Sequence, residues 1–351
     1  LQAYDFVLKK EEKMGIAELA KVSLGYYPTP FEELKRLSEE IGGPRIWVKR
    51  DDLTGLSYGG SKTRSLEMLI GQAAQMGADT IITCGPVTSN HARLTAAAAR
   101  KLGLSCVLVL KNTENINSVQ GNMLLNKILN IEIVLSNVET LDMLVPIMEE
   151  IAAKIEKQGK RPYIIPGGGY SPIGAVGYIG LVEELNQQAA ENNIKIDAVI
   201  FASGSGCTQT GLIVGKELLN ADMQIIGLTI NREKNVLIDR IYSDAVKAFE
   251  LLSSERSIKK DQIIVLDDYL GPAYAVPSPE CLNAIHHLAE LEGLILDPCY
   301  TGKSMAGLID LAKKKFKKGD NIVFLHTGGS PGVFTYSDIF NCPDSAAYTN
   351  C

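Results

Sequence analysis

The chain has 351 residues, 46% of them apolar and 22% charged, with a formal net charge of −6. This is the composition of a folded globular protein with enough chain for one large or two ordinary cores. The acidic balance excludes a protein that coats nucleic acid by neutralising phosphates, but not one that binds a small anion through backbone N–H groups.

No apolar run approaches the ~20 residues needed to cross a bilayer, so no membrane partner is expected. The segment Leu1–Asp5 lacks the basic-then-apolar pattern of a signal peptide. The seven cysteines are scattered, with no Cys-x-x-Cys and no His/Cys cluster, so no metal is expected. Reduced thiols in apolar strands, such as Cys84 and Cys106, point to the cytoplasm.

In chain order, the first distinctive pattern is Gly59-Gly60-Ser61-Lys62-Thr63-Arg64, which opens a helix-like segment over Thr63–Met76. Short apolar runs then alternate with helical patterns. Predicted strands are Thr80–Cys84, Cys106–Leu110, Ile131–Leu135, Tyr163–Ile165, Ala198–Ala202, Ile225–Ile230, Leu294–Leu296 and Ile322–Leu325. Predicted helices among them are Ser89–Leu102, Val119–Leu129, Asn137–Lys157, Thr208–Leu219 and Lys303–Lys317. Continuously apolar, β-branched strands are those of parallel sheets covered on both faces. The fold class is therefore α/β, with open, twisted, mostly parallel sheets carrying helices on both faces. The breaker cluster Pro166–Pro172 is the best candidate boundary.

Ligands of open α/β sheets sit beyond the carboxyl ends of strands. Ser203-Gly204-Ser205-Gly206-Cys207-Thr208 lies at such an end. Its glycines let the backbone approach an anion, and the helix that follows offers its positive end. An ordinary βα turn would share these features. No Lys-Ser/Thr follows the glycines, so it is not a nucleotide P-loop, and the dinucleotide spacing is missing too. Lys62 follows two glycines at a helix start, where a positive charge is disfavoured; that depresses its pKa and suits an amine that forms an imine. Ser89 or Asn90 caps the helix after Cys84 and is also placed to meet a ligand. Asp297–Lys303 and His326–Gly329 bring two further loops to the same edge. A lysine for an aldehyde and a glycine cup for a phosphate are the two needs of pyridoxal 5′-phosphate (PLP).

In this order the pieces resemble the D-cysteine desulfhydrase and 1-aminocyclopropane-1-carboxylate (ACC) deaminase family, within the tryptophan-synthase-β-like PLP enzymes. The resemblance runs from Tyr27–Pro30 and Val48–Gly55 through Gly59–Arg64, Ser89–Arg93, Pro172–Gly174, Gly204–Gly211 and Gly271–Tyr274 to Asp297–Lys303 and His326–Gly329. It implies that Lys62 is the Schiff-base lysine and that Asn90 meets the cofactor's ring hydroxyl. Gly204, Ser205, Gly206, Cys207 and Thr208 would form the phosphate cup. Ser89 would be a substrate-side hydroxyl, and Tyr274 and Tyr300 the two active-site tyrosines. It also implies PLP held between a large and a small domain, expected over residues 1–59 plus 170–345 and over 60–169, and a homodimer acting on a small amino acid.

The chain departs from the family at Ser61, where Asn is usual, and at Ser65, where a phosphate-supporting Lys is usual. Thr88 and Leu94 depart too. Thr301 bears on the substrate. ACC deaminases resemble one another in carrying Glu there, near the pyridine nitrogen, whereas desulfhydrase-like members resemble this chain in carrying Thr. A Thr makes a weaker electron sink, sufficient for expelling a thiolate. The expected reaction is β-elimination from D-cysteine, giving pyruvate, ammonia and sulfide. ACC ring opening, elimination from another amino acid such as cysteate, and an inactive PLP- or amino-acid-binding homologue are the alternatives. A nucleotide-binding oxidoreductase would need a dinucleotide fingerprint that the chain lacks.

Overall fold

The computed structural model describes residues 15, 18–112 and 119–340. The Leu1–Asp5 start and the last residues of the expected large domain lie outside them.

Ten strands form two sheets. They are β1 (Phe31–Glu33), β2 (Arg45–Lys49), β3 (Thr80–Pro86), β4 (Ser105–Lys111), β5 (Glu132–Ser136), β6 (Pro162–Ile165), β7 (Ala198–Ser203), β8 (Gln224–Thr229), β9 (Ile264–Leu266) and β10 (Asn321–Leu325). One sheet has the order β1-β2-β10-β7-β8-β9, the other β5-β4-β3-β6. Every pairing is parallel except that of the edge strand β1 with β2. The four-stranded sheet comes wholly from residues 80–165, and the flanking chain builds the other. Its centre, β3, is buried along its whole length, as are β7 and β10 in the larger sheet. That double coverage explains their largely apolar sequences. Among the described residues no helix is long and apolar enough to cross a membrane.

Seven predicted strands exist within a residue or two of their expected ends. Leu294–Leu296 is not a strand. The central strand β10 already has β2 on one side and β7 on the other, so that ladder has no free position there. Leu296 is fully buried in the second core regardless. Apolar content therefore reported burial, not pairing. Conversely β1, β2 and β9 went unpredicted, as did the helices Lys234–Leu251 and Pro279–Glu292. The latter carries clear signals: Ser278 Oγ accepts from Cys281 N at 3.2 Å, Pro279 opens the first turn, and Gly293 ends it at φ 68°.

The helix Lys62–Gln75 is anchored at its first turn by a buried ion network. Arg64 donates to both carboxylate oxygens of Asp51 at 2.8 Å and to both of Glu184 at 2.7 and 3.0 Å. Lys49 Nζ reaches Glu184 at 2.6 Å and the Thr29 carbonyl at 2.8 Å. Two cations balance two carboxylates, which is the condition for keeping such charges inside. Burial works against the Glu184 carboxylate, yet the hydrogen bonds and charges of Arg64 and Lys49 hold its pKa below the usual 4.5.

Arg64→Met strands Asp51 and Glu184 as buried charges, so urea denaturation should show a loss of about 3–5 kcal/mol. Because the Glu184 pKa is depressed, its contribution is whole above pH 4.5 and is lost as pH falls through the lower folded value. The penalty of Arg64→Met should shrink over that acid range.

Candidate active site

A cleft opens between the carboxyl ends of the two sheets. The larger sheet supplies Ser203–Gly206 and Thr208 after β7, with Thr327 after β10. The smaller supplies Cys84–Pro86 at the end of β3 and Gly167–Gly168 after β6.

Lys62 is the first residue of its helix and lines the cleft. Two features of the preceding turn force it there. Gly59 has φ 66° and a Cβ would lie 1.9 Å from the Asp52 carbonyl oxygen; Gly60 has φ 133° and packs on Thr327 O. Neither accepts a side chain. Lys62 Nζ donates to Gly168 O at 2.9 Å, with Ser205 Oγ at 3.4 Å. Burial lowers its pKa, and a nearby Cys207 opposes this weakly. The amine is therefore deprotonated more readily than a surface lysine.

Gly206 sits at φ 92°, ψ −20° and precedes the helix Cys207–Leu218, whose N-terminus faces the cleft. A Cβ at Gly206 would press on Ile241 and Leu237 at 3.1 and 3.2 Å. One at Gly168 would lie 2.7 Å from Ser205 Cβ. The cup is thus built of backbone kept bare by its neighbours. The Cys207 side chain turns away from it: Sγ donates to Gly169 O at 3.2 Å, and burial pushes the thiol up to about 11. Cys207 contributes backbone, not thiol.

Ser89 caps the helix Asn90–Lys101 and accepts from Ala92 N at 3.1 Å, which leaves its hydroxyl proton free to donate. Asn90 Oδ1 accepts from Asn122 Nδ2 at 2.9 Å, leaving the Asn90 amide N–H groups for the cleft. Arg93 holds Asn122 in turn at 3.0 Å and also binds the Ser57 and Gly59 carbonyls. Tyr274 and Tyr300 meet hydroxyl to hydroxyl at 2.6 Å, their rings edge to face. Burial, and then the neighbouring Cys299, hold both phenols protonated well above their ordinary range.

Cys207 and Thr301 are the two expected site residues that do not line the cleft. The Thr301 hydroxyl donates to Asp297 Oδ1 at 2.7 Å and accepts from Asp297 N at 2.8 Å. The turn uses this side chain to close the start of its own helix. Missed from sequence were His91 and Asn231. Both line the cleft, and His91 Nδ1, Asn231 Oδ1 and Ser203 Oγ are buried polar atoms with no hydrogen-bond partner. Burial, then the Lys62 charge, push the His91 imidazole down to about 3, so it is neutral. Asn231 lies after β8, at a strand end that the sheet rule does flag.

An amine, bare backbone at a helix N-terminus and unsatisfied polar atoms in one cleft make a site for an aldehyde that carries a phosphate. The sequence pattern of the pyridoxal-phosphate dependent enzyme family matches residues 22–328.

The chain belongs to the pyridoxal-phosphate dependent enzymes.

Two relatives and one solved structure place it within that family. A candidate 1-aminocyclopropane-1-carboxylate deaminase of Pyrococcus abyssi is 41% identical over 323 residues, 92% of this chain and 96% of the relative. A D-cysteine desulfhydrase of Klebsiella pneumoniae is 44% identical over 318 residues, 88% of this chain and 94% of the relative. The crystal structure of an ACC deaminase homologue superposes with a TM-score of 0.86 at 40% identity, covering 92% of this chain and 96% of the other. The PLP enzyme therefore sits among relatives named for both candidate reactions.

Gly206→Ala should cost about 1–2 kcal/mol in denaturant unfolding, because it forces an L side chain into positive φ, and should weaken PLP binding measured by absorbance titration. A depressed Lys62 pKa makes the neutral amine more abundant as pH rises. The rate of PLP capture by the apoenzyme should climb with pH and level off below 10.5.

Proposed function

We propose that this PLP-dependent lyase carries out β-elimination on a small amino acid, D-cysteine above others, releasing pyruvate, ammonia and sulfide. The observation that carries the choice is the absence of a carboxylate at the chain position directly after Tyr300. Thr301 occupies that position, and its donor is spent on Asp297. Among the described cleft residues the one carboxylate is Asp142, on the segment Leu141–Met143 in the neighbourhood of Cys84. Opening a cyclopropane ring asks for a strongly electron-withdrawing cofactor. Expelling a thiolate asks for less.

When bound, PLP supplies the electron sink for charge developing at the substrate Cα. Lys62 takes the α-proton, as a neutral amine held at the cleft floor by Gly168 O. The cup Gly204–Thr208 seats the phosphate through backbone N–H groups and the helix N-terminus. The Asn90 amide, with its oxygen pinned by Asn122, donates toward the ring hydroxyl. Ser89 offers its free hydroxyl proton to the substrate carboxylate. The Tyr274–Tyr300 pair carries a proton to the departing sulfur, since two phenols at 2.6 Å share one hydrogen bond and leave one proton to give.

The same reading treats residues 1–59 plus 170–345 and 60–169 as the two domains that hold the cofactor between them. It also takes the enzyme as a cytoplasmic homodimer. The five free cysteines among the described residues support a reducing compartment.

The purified enzyme with PLP should release sulfide and pyruvate from D-cysteine and little 2-oxobutyrate from ACC. Ketobutyrate as the dominant product would transfer the assignment to ring opening. Lys62→Ala should lower kcat by at least about a thousandfold through loss of the general base, while the folded far-ultraviolet circular dichroism spectrum is kept.

A further inference from the structure

The phenol of Tyr178 is fully buried, and its hydroxyl makes no hydrogen bond of full geometry, although the Thr208, Ser65 and Ser61 hydroxyls lie within hydrogen-bonding reach of it. A buried polar group left in this state costs about 1–3 kcal/mol, so the position asks for an explanation. Tyr178 precedes the helix Ile179–Glu191 and is not part of the expected cup.

Two glycines put it where it is. A Cβ at Gly177 would lie 2.2 Å from Arg64 O and 3.1 Å from Ser65 Cα, so this segment is pressed against the first turn of the Lys62 helix. A Cβ at Gly211 would lie 2.1 Å from Ala175 O and 2.7 Å from Tyr178 Cβ, so the same segment is pressed against the helix Cys207–Leu218. Tyr178 is thereby wedged between two helices whose N-termini both meet the cleft. Its hydroxyl neighbours are those of Thr208, Ser65 and Ser61. Ser61 and Thr208 line the cleft. Ser65 spends its proton on Lys62 O at 2.9 Å. Burial, and then Cys207, raise the phenol's pKa, so it is a protonated donor at neutral pH.

Protons of hydroxyls on Tyr178, Ser61 and Thr208 are thus gathered at one point beside two positive helix ends. Each of these hydroxyls can accept as well as donate, but none of them carries a negative charge to draw all three protons. A phosphate supplies that charge.

We infer that Tyr178 belongs to the phosphate seat of this enzyme: with Ser61 and Thr208 it forms a layer of neutral hydroxyl donors beneath the cup, which completes its hydrogen bonding only when the cofactor phosphate is in place. The inference rests on the reading of Gly204–Thr208 as the cup. Its consequence is that phosphate is held at this side by neutral donors and helix ends, with no cation within the cluster.

Tyr178→Phe removes only the phenol oxygen. The apoenzyme and this variant are titrated with PLP and, in parallel, with pyridoxal, which has the same aldehyde and ring but no phosphate. Losing a donor to a charged acceptor should raise the Kd for PLP about tenfold or more. Pyridoxal affinity should stay unchanged, and the 31P resonance of the bound cofactor should shift. Equal weakening of both ligands would mean that Tyr178 only packs, and would overturn the inference, as would an unchanged PLP affinity. Should Tyr178→Phe fail to fold, Ser61→Ala read against the same pyridoxal control decides the matter by the same two outcomes. Failure of the unaltered enzyme to bind PLP would instead overturn the cofactor site itself.

Discussion

The site depends on four buried charges that lie just outside it. Arg64 stands two residues after Lys62, and its guanidinium is clamped by Asp51 and Glu184, with Lys49 completing the square. Asp51 follows β2 in the larger sheet, and Glu184 rides on the helix Ile179–Glu191. The first helical turn that carries Lys62 is therefore tied to strand, loop and helix at once. A network of this kind adds little net stability compared with apolar packing, but breaking it is costly. Its value here is positional: a catalytic amine needs to be held to within about half an ångström, and a helix start pinned on three sides can do that.

Around this anchor the cleft is shaped by what its backbone omits. Gly59, Gly60, Gly168 and Gly206 each stand where a Cβ would press on a neighbouring segment, and each has positive φ. These turns bring the Lys62 amine, the Gly168 carbonyl and the N-terminus of the helix Cys207–Leu218 into one small volume. Burial then does the electrostatic work. It lowers the Lys62 pKa, keeps His91 neutral and keeps Tyr274 and Tyr300 protonated. On the proposed reading, one general condition, removal from water, prepares a base and two acids in the same cleft.

The substrate question narrows to the turn that follows Tyr300. Thr301 and Asp297 form a closed set of hydrogen bonds there, with Asp297 also accepting from the Cys299 and Tyr300 backbone. Asp297 serves as the cap of the helix Thr301–Lys314, so its charge is spent on backbone N–H groups. A carboxylate at position 301 would add a negative charge to this turn. In this chain the hydroxyl adds none.

Much of this was legible in the sequence, and the divide follows a physical line. Local chemistry was readable: short apolar runs rich in β-branched residues gave β3, β4, β7 and β10, glycine spacing gave the turns, and Gly59–Lys62 and Ser203–Thr208 marked two of the turns at the cleft. Period and turn chemistry act over a few residues, so a linear chain records them. What the tertiary structure decided was pairing and facing. Leu294–Leu296 reads as a strand but finds its ladder position filled. Thr301 reads as a cofactor contact but spends its hydroxyl on Asp297, four residues away. The cleft placement of Asn231 and the buried hydroxyl of Tyr178 depend on close approaches between segments far apart in sequence. Such approaches are set by which backbones can touch in three dimensions, and no local pattern of residues carries that information.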